Sequence, residues 1–318
     1  MSKLKRNLFL LLFLLASLVL GLAQPALAQT STPQIVVLTG DGPITPAMAQ
    51  YLARGIRIAE RQGAVAVIFQ LNTPGGSITT MNEMEQDILA SSVPVIVYVS
   101  PNGAMAASAG TIITLSGHAS AMAPTATIGA ASPVGGQGEN LQSVEEAKVK
   151  NETAATARSL TERRGATAQA LAEDTIMNAT AVSSSEALQA GLIDFIATDL
   201  NDLRSKLDGF TVSVLGQPVM MHTANASFET INISFIEELL LIVTDPNIVF
   251  LLITIGVQAI IIEISSPGGW VAGFIGVICL GWQPMGWASC RSIISGCYSS
   301  PLHSCCLYWI SRLPRMAD

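Results

Sequence analysis

The segment Val93-Pro94-Val95-Ile96-Val97-Tyr98-Val99 constrains the fold most, because it is apolar at successive positions and predicts a strand covered on both faces. The sequence around it supplies the cover. From Gln34 to about Val214, short β-branched runs alternate with helical ones, which predicts an α/β fold. Ile35-Val36-Val37-Leu38 is a strand, and Ile44-Thr45-Pro46 opens a helix to Arg61, with Thr45 as N-cap and Pro46 in its first turn. Val65 to Leu71 follows as a buried strand, Ser77 to Ala90 as a helix, and Ala104 to about Ile113 as a short helix of small residues. Further helices are predicted from Val144 to Arg164 and from Thr167 to Glu173. A helical turn begins at Ser184, ahead of a turn and strand at Gly191-Leu192-Ile193-Asp194.

The ends differ from this middle. Lys3, Lys5 and Arg6, the apolar run Leu8 to Leu22 and Ala26-Leu27-Ala28 make residues 1–28 a secretory signal sequence. Its removal takes away three cations and no acid, moving the net charge from −7 to −10. An exported, acidic domain without a basic stripe is a poor nucleic-acid binder. We read residues 29–222 as the main domain, 223–236 as a linker and 237–281 as a transmembrane region. Asn247 to Ile262 is uncharged and, with Leu239 to Val243 ahead of it, long enough to span, although Asp245-Pro246 interrupts it. Gly269 to Gly281 is a second apolar run. Residues 282–318 form an anomalous tail holding four of the five Cys and three of the four Trp, so the main body has no disulfide framework. A frameshift or truncation after about residue 281 would produce such a tail, and its Cys305-Cys306 and His303 make a weak metal motif without a CxxC pair.

Two glycine-rich elements follow buried strands. In Asn72-Thr73-Pro74-Gly75-Gly76 the glycines can turn their N–H groups toward a bound oxygen, although Pro-Gly-Gly alone is an ordinary turn. In Gly103-Ala104-Met105-Ala106-Ala107-Ser108-Ala109-Gly110, Ser108 lies near a helix N-terminus, where a developing anion is favoured; the bland reading is a packing serine. None of His118, His222 and His303 is well placed for a Ser-His-Asp arrangement. A lysine can replace histidine if burial leaves its amine neutral, whereas arginine stays protonated. Lys148 and Lys150 lie early in a downstream helix, and spacing does not choose between them or exclude a solvated face for both.

With these motifs, residues 34 to about 281 resemble the NfeD-type membrane-bound serine proteases, relatives of the Clp protease and signal-peptide-peptidase group within the ClpP/crotonase fold. The resemblance rests on both glycine-rich elements, on Ala123-Pro124 with Thr127-Ile128-Gly129-Ala130, and on Lys148-Val149-Lys150-Asn151 with Ser159-Leu160. It continues through Glu186-Ala187-Leu188, Gly191 to Asp194 and Asp245-Pro246-Asn247. It implies a ClpP/crotonase-like domain followed by transmembrane helices, with Ser108 as nucleophile, Lys148 as general base, and N–H groups of Gly75 or Gly76 with Ala109 as oxyanion hole. It further implies no cofactor or metal, a stomatin-like membrane partner, a homo-oligomer, and a protease domain on the extracytoplasmic side. Two other functions compete with this endopeptidase: a non-catalytic partner of a stomatin-type assembly, and a crotonase-type acyl-CoA enzyme, which export disfavours.

Overall fold

In the computed structural model, residues 33–133, 143–244 and 246–265 are described, with the isolated positions 274, 278 and 279. The signal sequence and the tail lie outside the described residues, as does the second apolar run apart from those isolated positions. β1 (Gln34–Asp41) leads into α1 (Pro46–Gln62), whose Thr45 cap accepts the Met48 N–H at 3.3 Å and whose end is turned by Gly63 at φ 63°. β2 (Ala66–Asn72) is followed by α2 (Ile78–Ala90), capped by Ser77, and by β3 (Val95–Val99), buried at every position.

The predicted helix from Ala104 is divided. Met105–Ala107 is a short strand, β4, and α3 runs from Ala109 to Ser116. Main-chain pairing keeps the first part extended: Thr73 N–H donates to Met105 O at 2.7 Å and Ala107 N–H to Thr73 O at 3.0 Å. β5 (Ala119–Met122) and β6 (Thr127–Gly129) follow, then α4 (Ser143–Thr161) with a 3-10 turn over Glu162–Arg164, and α5 (Ala166–Met177). β7 (Ala181–Ser183) passes through a Ser183/Glu186 capping box into α6 (Ser184–Gln189). β8 (Phe195–Ile196), α7 (Leu200–Leu207) and the hairpin β9 (Thr211–Val214) with β10 (Gln217–Met220) complete this part.

Residues expected to be a linker contain β11 (Ser227–Thr230), which joins the sheet edge as a parallel partner of β1. The main sheet has the order β11-β1-β2-β3-β5-β8, and every pairing is parallel. The loops after β2 and β3 therefore leave the sheet at one end, where ligands meet open parallel sheets. A smaller sheet, β4-β6-β7, sits beyond that end and holds the chain around Ser108. The buried pair Arg164–Asp194 anchors the end of α4: both guanidinium–carboxylate bonds are 2.8 Å, and Ser120 N–H donates to the same carboxylate at 2.7 Å.

The apolar stretch before residue 265 forms two helices, α8 (Phe235–Thr244) and α9 (Pro246–Ser265). Pro246 cannot donate into the preceding turn, which separates them. Among the described residues, α9 alone, over Ile248–Ser265, is long and apolar enough to cross a membrane. At residue 237, where the transmembrane region is expected to start, Glu237 pairs with Arg54 of α1 at 2.7 Å.

Candidate active site

Ser108 stands between β4 and α3 with φ 53° and ψ −120°. Such a backbone costs a side-chain-bearing residue about 1–3 kcal/mol and persists only where the surroundings impose it. Here they do. Ser108 N–H donates to Gly129 O at 3.0 Å, and the buried Thr111 hydroxyl reaches Ala106 O and Gly129 O, both at 3.0 Å. A strained serine at a strand-to-helix turn, its hydroxyl lifted off the backbone, is the geometry of a nucleophile elbow. The Ser108 side chain is half-buried and makes no capping bond to α3.

The Pro-Gly-Gly turn lies directly against it. A Cβ on Gly75 would fall 2.6 Å from Ser108 Cβ and 3.1 Å from its Oγ, and the φ of 111° is itself suited to glycine. Gly110 is required on the other side, where a Cβ would meet Thr73 Cγ2 at 2.5 Å. The Gly75 N–H donates to Thr73 Oγ1 at 3.0 Å. Among the described residues, the N–H groups of Gly76 and Ala109 carry no hydrogen bond. Asn72 ties the same corner together, donating to Asp41 Oδ1 at 2.8 Å and accepting from Met105 N–H at 3.1 Å.

The two candidate lysines occupy different environments on α4, which packs against α3. Lys150 is paired with Glu146 at 2.8 Å. Lys148 is exposed and makes no hydrogen bond or ion pair among the described residues, so its contact with Ser108 is not closed in this structure. Beside it, a cavity of 330 Å³ opens between α2 and α4, lined by Ile78, Met81 and Glu85 on one side and Val149, Glu152 and Thr153 on the other. It begins two residues beyond Gly76 and reaches the neighbour of Lys148. Burial raises the pKa of Glu85 there.

His118 is structural: it is 6% exposed, and its Nδ1 accepts the Val95 N–H at 3.0 Å. Burial, followed by the nearby Arg163 charge, lowers its pKa to about 4. Thr111 and Gly129 were not singled out as site residues by sequence reasoning, although both lie within the quoted or adjacent motifs; their role depends on pairing between segments distant in sequence. Among the described residues, no group of three or more His, Cys, Asp or Glu could hold a metal ion.

A parallel sheet, a strained serine elbow against a glycine turn, and a membrane-length helix define a ClpP-like domain joined to a membrane segment. The chain belongs to the NfeD family: the NfeD1b N-terminal domain matches residues 36–208, and the NfeD integral membrane domain matches residues 247–287. It is 38% identical over 260 residues to the membrane-bound protease PH1510 of Pyrococcus horikoshii, covering 81% of this chain and 58% of that protein. It is 29% identical over 287 residues to the membrane protein NfeD1b of Bacillus subtilis, covering 85% of this chain and 59% of that one. The chain thus spans just under three fifths of these curated relatives.

Among solved structures, it resembles the 1510-N membrane-bound stomatin-specific protease in a lysine-to-alanine mutant complexed with a substrate peptide. That match has a TM-score of 0.61 and 33% identity, and covers 66% of this chain and 96% of the other. A serine-to-alanine mutant of 1510-N matches with a TM-score of 0.59 at 33% identity, covering 64% of this chain and all of that one. The integral membrane domain places the protein in a membrane.

Proposed function

We propose that this chain is a membrane-anchored serine endopeptidase with a Ser108–Lys148 dyad, cleaving apolar segments of membrane-associated proteins such as a stomatin-like partner. The observation that carries the reading is the strained Ser108 elbow abutting Gly75, since a packing serine has no need of such a backbone. The relatives solved as serine and lysine mutants support the choice of residue types, and the specificity of 1510-N for stomatin supports the partner. Lys148 is preferred to Lys150, which is engaged by Glu146.

In this mechanism the Lys148 amine takes the Ser108 proton and the alkoxide attacks the peptide carbonyl. The resulting ammonium then protonates the leaving amine. Ala109 N–H, with that of Gly75 or Gly76, holds the oxyanion; one such donor is worth about 3 kcal/mol. Among the described residues the Gly76 N–H carries no hydrogen bond, whereas Gly75 lies nearer Ser108 but must release Thr73 or share its N–H with it. A substrate side chain enters the cavity between α2 and α4, and the contact between Lys148 and Ser108 closes over it. Catalytic hydrogen bonds commonly tighten only in the substrate complex.

In the arrangement we propose, residues 1–28 are removed, the protease domain begins near residue 29 and lies on the extracytoplasmic side, and the chain assembles as a homo-oligomer. The test is hydrolysis of apolar peptides by the full chain and by Ser108→Ala and Lys148→Ala. Loss in both variants is expected, and full activity in either removes the dyad. One observation favours a non-catalytic partner role instead: Lys148 is exposed and unbonded among the described residues. Under that reading, wild type and both variants are equally inactive.

A further inference from the structure

Helix α8 is inverted relative to a helix that packs on a core in water. Among its described side chains, the buried one is an acid: Glu237 is 5% exposed, whereas Phe235 is 78%, Ile236 70% and Ile242 51% exposed. The acid is buried because Arg54 of α1 grips it in a fork, Nε to Oε1 at 2.8 Å and Nη2 to Oε2 at 2.7 Å. The same guanidinium donates to Asn232 O at 2.8 Å, and the Tyr51 hydroxyl donates to Ile231 O at 2.6 Å. Polar contacts thus fix the start of α8 to the N-terminal domain, while Phe235, Ile236, Leu239 and Ile242 face outward and Leu240 and Leu241 are half-buried.

What covers that face follows from where the helix leads. α8 is followed, across Asp245-Pro246, by α9, whose apolar window is only 11% buried. With 20 residues, α9 is about 30 Å long and crosses a hydrocarbon core without help from α8. α8 therefore stands where the chain meets the headgroups. No Lys or Arg occurs from Phe235 to Ser265, so attraction to anionic lipid plays no part.

We infer that α8 is an interfacial helix. Phe235, Ile236, Leu239 and Ile242 enter the headgroup–acyl boundary of the bilayer that α9 crosses, and the Arg54–Glu237 clamp holds the catalytic domain against that surface. Burying these side chains removes apolar surface from water, so the face is stable in lipid and costly in water. This inference is independent of whether the domain cleaves peptides.

The test uses the full chain in phosphatidylcholine vesicles, with Phe235→p-benzoylphenylalanine and, separately, Ile236→p-benzoylphenylalanine. After illumination, the α8 peptide gains the mass of one lipid in both. The same substitution at Leu215, 61% exposed on the β9–β10 turn, gives no lipid adduct. Cross-links to a second copy or to another segment of the chain, or no adduct at either position, overturn the interfacial assignment. For the clamp, Arg54→Ala speeds amide exchange over residues 231–238 at least tenfold, and the charge-swapped pair Arg54→Glu with Glu237→Arg restores protection. Unchanged exchange in Arg54→Ala refutes the clamp.

Discussion

Gly75→Ala perturbs the proposed site at its closest point. The added methyl carbon would lie 2.6 Å from Ser108 Cβ, 3.1 Å from Ser108 Oγ and 3.3 Å from Ala107 O. Ordinary carbon contacts need about 3.5–4.0 Å, so Ser108 or the turn must move by roughly 1 Å. A shift of that size at a reacting atom costs about a hundredfold in turnover. The positive φ adds backbone strain of about 1–3 kcal/mol. Gly103→Ala separates the two effects, because Gly103 has φ 79° and nothing within 4 Å of a Cβ. Both variants should lose thermal stability by circular dichroism, Gly75→Ala the more because its methyl also clashes, and only Gly75→Ala should lose peptide hydrolysis. Equal activities in the two variants would refute the argument that Gly75 is required by its contact with Ser108.

Thr111→Val removes the buried hydroxyl that bonds Ala106, Gly129 and the Gly129 N–H; it should cost about 1–3 kcal/mol in urea unfolding and lower kcat more than it raises KM. His118 is neutral when folded, with its pKa lowered to about 4, while the unfolded chain takes up a proton near the ordinary value of 6.5. Its stabilisation is therefore complete above pH 6.5 and is lost as pH falls toward 4, by about 3 kcal/mol. His118→Asn should flatten the stability profile over that window, and an unchanged profile contradicts the assignment. Arg164→Ala leaves the Asp194 carboxylate half-satisfied in the interior and should cost about 3–5 kcal/mol in the same unfolding assay.

The sequence disclosed the elements whose physics is local. The apolar run through β3, the Thr45-Pro46 start of α1 and the Ser77 start of α2 each carry their own signal. β11 was hidden because Ser227-Phe228-Glu229-Thr230 shows an apolar residue only at Phe228, and it becomes a strand only by pairing with β1 nearly two hundred residues earlier. The three-residue strands β4, β6 and β7 are too short for periodicity, and pairing across the chain, with Thr73 at the centre, extends Met105–Ala107 where small residues suggested a helix. At the site, residue types and order singled out Ser108, Gly75, Gly76 and the pair Lys148 and Lys150, and the resemblance to the family chose Lys148 and added Ala109. The strain at Ser108, the engaged N–H of Gly75 and the exposure of Lys148 are tertiary properties with no counterpart in spacing.

The central claim is that Ser108 is a nucleophile activated by Lys148. A fluorophosphonate probe applied to the full chain in vesicles, with the modified peptide identified by mass spectrometry, tests it without knowledge of the substrate. The account predicts one adduct on the Ser108 peptide, absent in Ser108→Ala and slowed at least a hundredfold in Lys148→Ala, with Lys150→Ala labelled at the wild-type rate. An unlabelled Ser108, or labelling indifferent to Lys148, would contradict it.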